Sequence, residues 1–600
     1  MTAADIVALP RADVPDRGPV IGTVGSPSTT SEVTVDVAET ASTGALLGDL
    51  VYLSHPVADG RHLLAMGTVS DIETRNRWHE DPNMRGVLKV HGTLPHLSAV
   101  GDTRTATVMV QAVYDADADC PPFADCPRES GGALGMSPTT GTPVRRVDDR
   151  VVDALVERHR DDVVYLGQVY RSDVLLPAFV RDFAGPGSDG AFHTGIFGRS
   201  GSGKTSFAVH LIAAQMRHRS LGVLVFDPQG QFASQAGFPF DLKGWAASLG
   251  RDVFVRSLAD DLRLQADAPL LGELIPTEFF RQMTVKGQVV EPARDELIRL
   301  LQTRGGWADR PAADVLRDLL GDLIGDQRAC ERILATAAPR DRMIGAVTNI
   351  LDDPRAFELA LGHFAPMHNL FSAQNLAGGP RQNLQALLHR VFDPVPGKPA
   401  PYVVLDLAGR SGSSWLDSDE TKALLIKRVS DSVRRLAEDH WRRTRELANC
   451  SVVFDEAHRF AAARPDGPNA QALSHRLEEH VRETRKFGLG WTFITQEISG
   501  LASAIYSQLR VRAYGYGLTS GSDLSRLSDE VGRGAALDLY KSFPDPNALA
   551  DKAYPFMLHG PVSPLSFTSA PVFLQVFTDR AEFVERNRRA FGHTPVPPLP

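Results

Sequence analysis

Residues 198–205 read Gly-Arg-Ser-Gly-Ser-Gly-Lys-Thr, and this octapeptide constrains the fold more than any other part of the chain. It matches the pattern G-x-x-x-x-G-K-[ST], which requires a buried strand before it and a helix after it. The sequence supplies both, because His193 to Phe197 is short and largely apolar and residues 206–217 have helical spacing. The segment therefore predicts a strand, a phosphate-binding loop and a helix N-terminus. The alternative is a Gly/Ser-rich turn that precedes Lys-Thr by chance.

The glycines of this loop explain why it would bind a polyphosphate. Gly198, Gly201 and Gly203 allow successive backbone N–H groups to turn inward, and the helix that starts near Lys204 directs the positive end of its dipole to the same place. Lys204 would neutralise the β- and γ-phosphates of ATP, and the hydroxyl of Thr205 would bind Mg²⁺. We expect the nucleotide to contact Gly198, Ser200, Gly201, Ser202, Gly203, Lys204, Thr205 and Ser206.

Composition is typical of a large enzyme with several domains. The 600 residues are 43% hydrophobic and 23% charged, which gives enough core material for about three to four domains. No run approaches the roughly 18 apolar residues of a membrane span, and residues 1–19 lack the apolar stretch of a signal peptide. We therefore expect a cytoplasmic protein with no membrane contact.

Charge and cysteine content argue against two other classes of protein. The net charge of −9 is unfavourable for a surface coated with nucleic acid, although a local basic channel that grips DNA is compatible with it. The four cysteines form no C-x-x-C pair, so neither a disulfide framework nor a zinc site is indicated. Cys120 and Cys126 lie in an acidic, Pro-containing loop and are interpreted as plain loop thiols.

Hydrophobic periodicity divides the chain into domains. Val33 to Val37 alternates and Thr105 to Val113 is rich in β-branched residues, which predicts a small β-barrel. The leucines between 316 and 323 have helical spacing, whereas apolar strands and helices alternate after residue 400, which predicts a parallel, doubly wound sheet. The predicted organisation is an N-terminal tail (1–18), a β-barrel domain (19–180) with a long loop (115–144), an α/β P-loop domain (181–240 and 391–575), an inserted helical subdomain (241–390), and a C-terminal helix and strap (576–600).

A pair of acidic residues follows a strand far from the P-loop in sequence. Val452 to Phe454 is hydrophobic and is followed by Asp455 and Glu456. Because ligands bind at the carboxyl edge of a parallel sheet, Asp455 would lie beside the P-loop, where it would hold Mg²⁺ through water or Thr205. Glu456 would then polarise the attacking water. The alternative is a helix N-cap with a solvated neighbour.

A glutamine follows the next predicted strand. Residues 482–488 close a helix with basic side chains and a C′ glycine, which is ordinary capping, and the strand 489–495 ends in Gln496. At that strand end, the amide of Gln496 is placed to sense the γ-phosphate. A surface glutamine is the alternative.

Five motifs, in this order, resemble those of the HerA-type ATPases of the FtsK/HerA superfamily. They are the P-loop, Asp227-Pro-Gln-Gly230, Asp455-Glu-Ala-His-Arg-Phe460, Thr484-Arg-Lys-Phe-Gly488 and Thr495-Gln496. The motifs cover the ATPase domain, and the β-rich N-terminus resembles the small barrel of that family. The resemblance implies an α/β fold with a RecA-like P-loop ATPase domain on a parallel sheet. It further implies a hexameric ring with ATP at subunit interfaces, which pumps duplex DNA and often has a nuclease partner.

The resemblance also assigns individual residues and exposes two departures. Arg485 matches the family's basic position near the γ-phosphate, supplied either to its own site or to a neighbour's. The predicted catalytic residues are Lys204, Glu456, Arg485 and Gln496. Phe192-His193 stands where the family has an Arg-His pair, and Gln231 stands where an acid is usual. Neither a catalytic arginine nor a carboxylate is therefore carried over to those positions.

Three functions fit these observations. The favoured one is an ATP-hydrolysing translocase or helicase motor for duplex DNA, which works with a nuclease or other effector in DNA processing or anti-phage defence. The alternatives are a nucleotide-gated ring scaffold that regulates a partner enzyme, and a conjugation-type DNA pump at a membrane. Residues 409–415 and 459–476 are polar and basic, as loops of a DNA-conducting pore would be, although ordinary surface loops have the same composition.

Overall fold

A computed structural model describes residues 18–42, 44–56, 62–92, 95–116, 128–185, 190–375, 377–409, 416–588 and 590–591. Within these residues the chain forms a small β-barrel, a large mixed sheet covered by helices, and a layer of helices inserted between two strands of that sheet. Several predictions fall elsewhere: Cys120, Cys126, nearly all of 1–18, most of 409–415 and the C-terminal strap from residue 592 lie outside the described residues.

The N-terminal sheet closes into a barrel. Its strands are β1 (Val20–Val24), β2 (Glu32–Val37), β3 (Leu50–Pro56), β4 (His62–Asn76), β5 (Asp102–Ala116), β6 (Arg128–Gly131) and β7 (Pro143–Arg146). The order β2-β1-β7-β3-β4-β5 closes because β2 also pairs with β5, and β6 is added beyond β5. Alternate residues such as Val33 and Val35 are fully buried, which is why this segment shows the period of two.

Two parts of this region differ from the sequence prediction. Three helices, α1 (Arg77–Glu80), α2 (Pro82–His91) and α3 (Pro95–Gly101), interrupt the segment between residues 20 and 114 that reads as strands. Asn76 caps the start of α1, and Asp81 caps α2 ahead of a proline at its first position. The predicted loop 115–144 also contains β6 and the start of β7.

The large sheet carries the P-loop. Its strands are β8 (Val163–Val169), β9 (Leu175–Phe179), β10 (Thr194–Phe197), β11 (Gly222–Asp227), β12 (Val253–Ser257), β15 (Tyr402–Asp406), β16 (Cys450–Phe454), β17 (Leu489–Thr495), β18 (Val511–Gly515), β19 (Tyr554–His559) and β20 (Val572–Val576). In the order β12-β15-β11-β16-β17-β10-β18 all neighbours are parallel, and β19, β20, β8 and β9 extend the sheet in antiparallel fashion. The predicted α/β class with a P-loop domain on parallel strands is confirmed.

The domain boundaries predicted from sequence differ from this sheet in two places. The strands β8 and β9 fall within the predicted barrel domain, 19–180, yet β8 pairs with β20 in the large sheet and β9 pairs with β8. The edge strand β12 falls within the predicted helical subdomain, 241–390, yet it pairs with β15. The strands β8 and β12 are short and their partners β20 and β15 lie more than a hundred residues away, so local periodicity does not show which sheet they join.

Helices cover both faces of the large sheet. They are α4 (Asp149–Leu155), α5 (Lys204–Gln215), α6 (Gln231–Ser234), α7 (Leu242–Ser248), α15 (Leu384–Phe392), α16 (Asp419–Thr444), α17 (Ala457–Phe460), α18 (Pro468–Thr484), α19 (Ser503–Tyr506), α20 (Gly521–Val531), α21 (Ala535–Lys541) and α22 (Arg580–Arg586). The C-terminal helix α22 packs onto this layer, where its Phe583 ring lies 5.8 Å from the ring of Trp245 on α7.

The inserted helical layer lies between β12 and β15. It comprises α8 (Ala268–Leu274), α9 (Thr277–Gln282), α10 (Val290–Arg304), α11 (Ala312–Gly325), α12 (Gln327–Ile333), α13 (Ala337–Asp352) and α14 (Pro354–Asn369), with a two-stranded ladder of β13 (Leu262–Arg263) and β14 (Gln382–Asn383). The leucines of α11 that have helical spacing are fully buried and share one core with the face of the sheet around Phe226. No helix of the described residues combines the length and the apolar character needed to cross a membrane.

Candidate active site

The P-loop joins β10 to α5 with a left-handed backbone at its glycines. Gly201 has φ +81° and Gly203 has φ +87°, a region that other residues adopt only with strain. Side chains would also collide there, since a Cβ on Gly203 would lie 2.4 Å from the ring of Tyr554. The loop geometry that the glycine spacing predicts is therefore present.

A polar cavity opens at the carboxyl edge of the sheet, over the start of α5. Its volume is about 550 Å³, which is within the range of small-molecule sites. It is lined by Ser200, Gly201, Gly203, Lys204, Thr205, Ser206, Gln229, Gln231, Ser234, Ala236, Gly237, Asp455, Glu456, Ile494, Gln496 and Tyr554. Six of the eight predicted nucleotide contacts, the acid pair and the predicted γ-phosphate sensor thus share one cavity.

Three predicted site residues do not line this cavity. The side chain of Ser202 is fully buried against Gly198. These two residues therefore face the protein interior and support the loop from that side. Arg485 does not line the cavity because it precedes β17, whereas the cavity lies where that strand ends.

Arg485 lies at the opposite edge of the sheet. It begins the short turn 485–487 that precedes β17, and its carbonyl accepts a hydrogen bond from the backbone N–H of Ala191, before β10. Gln496 follows the other end of β17, so seven strand residues at about 3.3 Å each put roughly 20 Å between the two positions. Arg485 therefore does not reach the cavity of its own chain.

Phe192 and His193, which stand where the family has an Arg-His pair, lie close to other arginines. His193 is buried, its Nδ1 accepts a hydrogen bond from the backbone N–H of Trp491, and burial together with the nearby charge of Arg485 lowers its pKa to about 4. Phe192 presents its ring to the guanidinium groups of Arg510, at 4.9 Å, and Arg181, at 5.8 Å. Two arginines thus lie beside Phe192, the position where the family has an arginine.

Lys204 and the acid pair face each other across the cavity. The Lys204 Nζ donates a hydrogen bond to the Arg199 carbonyl, 3.1 Å away, within the P-loop. Burial lowers the pKa of Lys204, and the negative charges of Glu456 and Asp455 act in the opposite direction. The lysine is therefore held close to both carboxylates, in the place where a phosphate would need it.

Asp455 is a buried carboxylate with the properties of a metal ligand. It follows β16, is 3% exposed, and its Oδ2 has no hydrogen-bond partner among the described residues. Because an unpaired buried carboxylate is costly, this oxygen suits a metal ligand, and the hydroxyl of Thr205 lines the same cavity. The residues present thus fit Mg²⁺, with Asp455 and Thr205 as the groups that would hold it.

Replacing Asp455 by asparagine is expected to stabilise the nucleotide-free protein at pH 8. Burial and the charges of Glu456 and Asp227 raise the pKa of Asp455 to about 7, so between about pH 4 and pH 7 the folded state keeps a proton that the unfolded chain releases. Ionised Asp455 therefore lowers the free energy of unfolding as the pH rises through that window, at about 1.4 kcal/mol per pKa unit.

Thermal unfolding in EDTA without nucleotide measures this effect. The melting temperature of Asp455→Asn should exceed that of the wild type at pH 8, and the difference should be smaller at pH 5, where the wild-type side chain is protonated. A variant that melts below the wild type at pH 8 contradicts the assignment of Asp455 as an unfavourably buried charge.

Glu456 is held by Gln496 rather than by a helix end. The amide Nε2 of Gln496 is 3.4 Å from both carboxylate oxygens of Glu456, and His458 Nδ1 is 3.3 Å from one of them. Glu456 occupies the N-cap position of α17 but makes no side-chain capping hydrogen bond, and its φ is +49°. A strained residue with its carboxylate in a cavity is typical of a functional site and not of a simple cap.

Asp227 has a different task from Asp455. Its carboxylate accepts hydrogen bonds from the backbone N–H groups of Gln231 and Ala233, at 2.9 and 2.8 Å, so it holds the turn into α6. Burial raises its pKa to about 6. The turn brings the amides of Gln229 and Gln231 to the cavity, where the family usually has an acid.

The basic segment 459–476 shows few free charges. Arg459 pairs with Asp419 at 3.2 Å, and Arg476 pairs with Asp431 at 2.9 Å and with Glu479 at 2.7 Å. Paired arginines are less available to DNA phosphates than free ones. The prediction of a loop is also wrong for most of this segment, because residues 459–460 end α17 and residues 468–476 lie in α18.

One family model matches the chain, and its description is "Helicase HerA, central domain" over residues 191–328. No curated protein sequence matches the chain closely enough to count as a relative.

Among solved structures, VirB4 of Thermoanaerobacter pseudethanolicus is 14% identical, covers 70% of this chain and 97% of its own, and has a TM-score of 0.36. The pCW3 conjugation coupling protein TcpA is 10% identical over 90% of each chain, with a TM-score of 0.27. The genome packaging NTPase B204 of Sulfolobus turreted icosahedral virus 2, in complex with ATP-gammaS, is 8% identical over 64% of this chain and 96% of its own, with a TM-score of 0.26.

The family match begins just before β10 and includes the P-loop, and the cavity brings that loop together with the acid pair of β16. The matched residues contain the P-loop and Asp227 to Gly230, and over these two motifs the resemblance to the HerA-type ATPases is confirmed. The protein is a P-loop ATPase, and its residues 191–328 match the central domain of the helicase HerA.

Proposed function

We propose that the protein is an ATP-hydrolysing hexameric motor that translocates duplex DNA and works with a nuclease or another effector protein. One observation carries this proposal: the cavity holds a P-loop lysine, a buried aspartate and a glutamate bound to a glutamine, whereas Arg485 lies at the other edge of the sheet. The cavity has no arginine from its own chain. A second chain supplies one when the sheet edge that carries its Arg485 lies against this cavity. A repeated head-to-tail contact of this kind generates a ring when the rotation between subunits closes.

The side chains of the cavity support phosphoryl transfer to water. Mg²⁺, bound by Thr205 and Asp455, would neutralise charge on the phosphates of ATP. Lys204 would bind the β- and γ-phosphates, and Glu456 would orient the attacking water and accept its proton. Gln496 would hold the Glu456 carboxylate at the correct angle through its amide, which lies within hydrogen-bond reach of both oxygens.

DNA as the substrate is supported by the helicase description of the matched family model. The net charge of −9 restricts DNA contact to a local surface, such as the inside of a ring. We therefore expect contact with DNA only where subunits surround it.

ATP turnover is expected to rise several-fold with duplex DNA, because a motor couples its hydrolysis cycle to the substrate in its channel. The measurement is phosphate release with duplexes of increasing length at fixed nucleotide concentration and at two salt concentrations. Stimulation should grow with duplex length and fall with salt, since phosphate contacts release counterions. Lys204→Ala is the control, and it should show no turnover with or without DNA.

Two results would contradict the proposal that the protein is a DNA-translocating motor. Turnover that is indifferent to DNA of every length, but changes when a co-purifying protein is added, would favour the nucleotide-gated scaffold. Stimulation by short single strands that equals stimulation by long duplexes would contradict translocation along duplex DNA.

A further inference from the structure

The cavity contains one aromatic side chain that the phosphate chemistry does not use. Among the described residues that line it, Tyr554 is the only aromatic one. It is the first residue of β19 and is partly exposed. Its sequence surroundings give no hint of a role, because it lies 350 positions after Lys204, in a strand that follows all five motifs.

The ring of Tyr554 lies directly against the backbone of the P-loop. A Cβ placed on Gly203 would be 2.4 Å from the Tyr554 Cδ1 and 2.5 Å from its Cγ, so only glycine permits this approach. Contact with the loop and exposure to the cavity together make Tyr554 a wall of the nucleotide site.

Strand order gives the direction in which a nucleotide must lie. Glu456 and Gln496 follow β16 and β17, the P-loop follows β10, and Tyr554 begins β19 on the far side of β18. The γ-phosphate must face Glu456 for hydrolysis, so the phosphate chain runs from β17 across β10. The nucleoside end therefore leaves the P-loop on the side of β18 and β19, about two strand spacings or roughly 10 Å from β10.

We propose that Tyr554 is the base-stacking residue of this site, and that its ring packs on the purine of the nucleotide whose phosphates occupy the P-loop. The inference rests on the nucleotide binding that the proposed function requires. Stacking uses the π-face that every base presents, so it strengthens binding of the nucleoside end and leaves the contacts of the phosphates unchanged.

The test separates stacking from mere support of the P-loop. The affinities of ATP and of inorganic triphosphate, both with Mg²⁺, are measured by calorimetry in a Glu456→Gln background that prevents turnover. Adding Tyr554→Ala is expected to weaken ATP binding about 5- to 150-fold, the range for one base–aromatic stack, and to change the affinity for triphosphate by less than about twofold. Tyr554→Phe should recover most of the lost ATP affinity.

Tyr516→Ala is the matched control, because Tyr516 follows β18 beside the P-loop, where its carbonyl accepts the Arg199 N–H, but does not line the cavity. It should leave the ratio of the two affinities unchanged. Equal losses for ATP and triphosphate in Tyr554→Ala would show that the ring only braces the loop and would overturn the inference, as would an unaltered ATP affinity. If Tyr554 is intact and neither ligand binds, the proposed function itself fails.

Discussion

Arg485→Ala is expected to lower ATP turnover by roughly 10³- to 10⁵-fold, the contribution of an arginine that stabilises the charge of a phosphoryl-transfer transition state. Arg485 precedes β17 and the cavity lies beyond the end of that strand, whose seven residues span roughly 20 Å, so the loss would arise at the site of a neighbouring subunit. Nucleotide binding by the variant should persist, since Lys204 and the P-loop are untouched.

Mixing experiments decide between action in its own site and in a neighbour's. Arg485→Ala and Lys204→Ala are each expected to be inactive alone, but an equal mixture should recover up to about a quarter of wild-type turnover, because random assembly places an intact P-loop beside an intact arginine at that fraction of interfaces. A mixture of Lys204→Ala with Glu456→Gln should recover nothing, since both substitutions damage the same cavity.

Assembly must be checked in the same preparations. Each variant should have the native mass of the wild type, expected at about six times the 65.2-kDa chain. No recovery in any mixture of subunits that exchange freely would contradict action in a neighbour's site. Undiminished turnover by Arg485→Ala would remove the residue from catalysis altogether.

Glu456→Gln is expected to lower turnover by about 10²- to 10⁴-fold while ATP still binds. Glutamine matches glutamate in shape and tolerates the same backbone conformation, yet it does not accept a proton from water. Single-turnover phosphate release measures the chemical step, and calorimetry measures binding. Normal phosphate release by this variant would exclude Glu456 as the base.

Gln496→Ala provides the comparison for that result. The amide of Gln496 acts on Glu456 and not on the water directly, so its loss should reduce turnover less than the loss of the Glu456 carboxylate. A Gln496→Ala variant that is more impaired than Glu456→Gln would mean that the amide contacts the γ-phosphate itself, as the sequence interpretation of a sensor holds.

The central features of the fold could be predicted because they are encoded locally. Buried parallel strands read as continuous apolar runs, and the residue after such a run lies at the carboxyl edge of the sheet. This rule alone brings Asp455, Glu456 and Gln496 toward the P-loop, and the structure has all of them in one cavity with Lys204.

Features that depend on pairing between strands far apart in sequence are not predicted by local patterns. The strands β8 and β9 were assigned to the barrel, although they join the large sheet through β20, four hundred residues later in the chain. The helices α1 to α3 were missed because β-branched residues on either side dominate the pattern. Neither error concerns the site, since both lie away from the carboxyl ends of β10, β16 and β17.

The sequence by itself determined the chemistry of this protein: a glycine loop that binds phosphate, and acids placed at strand ends by apolar runs, are properties of a few consecutive residues. Only the tertiary structure decided which groups share a cavity and which do not. It separates Arg485 from that cavity, because Arg485 precedes β17 and the cavity lies where β17 ends. It brings Tyr554 in, because the antiparallel strand β19 begins at the edge where the P-loop lies. Strand direction and strand order are set by contacts between residues hundreds of positions apart, which local patterns do not record.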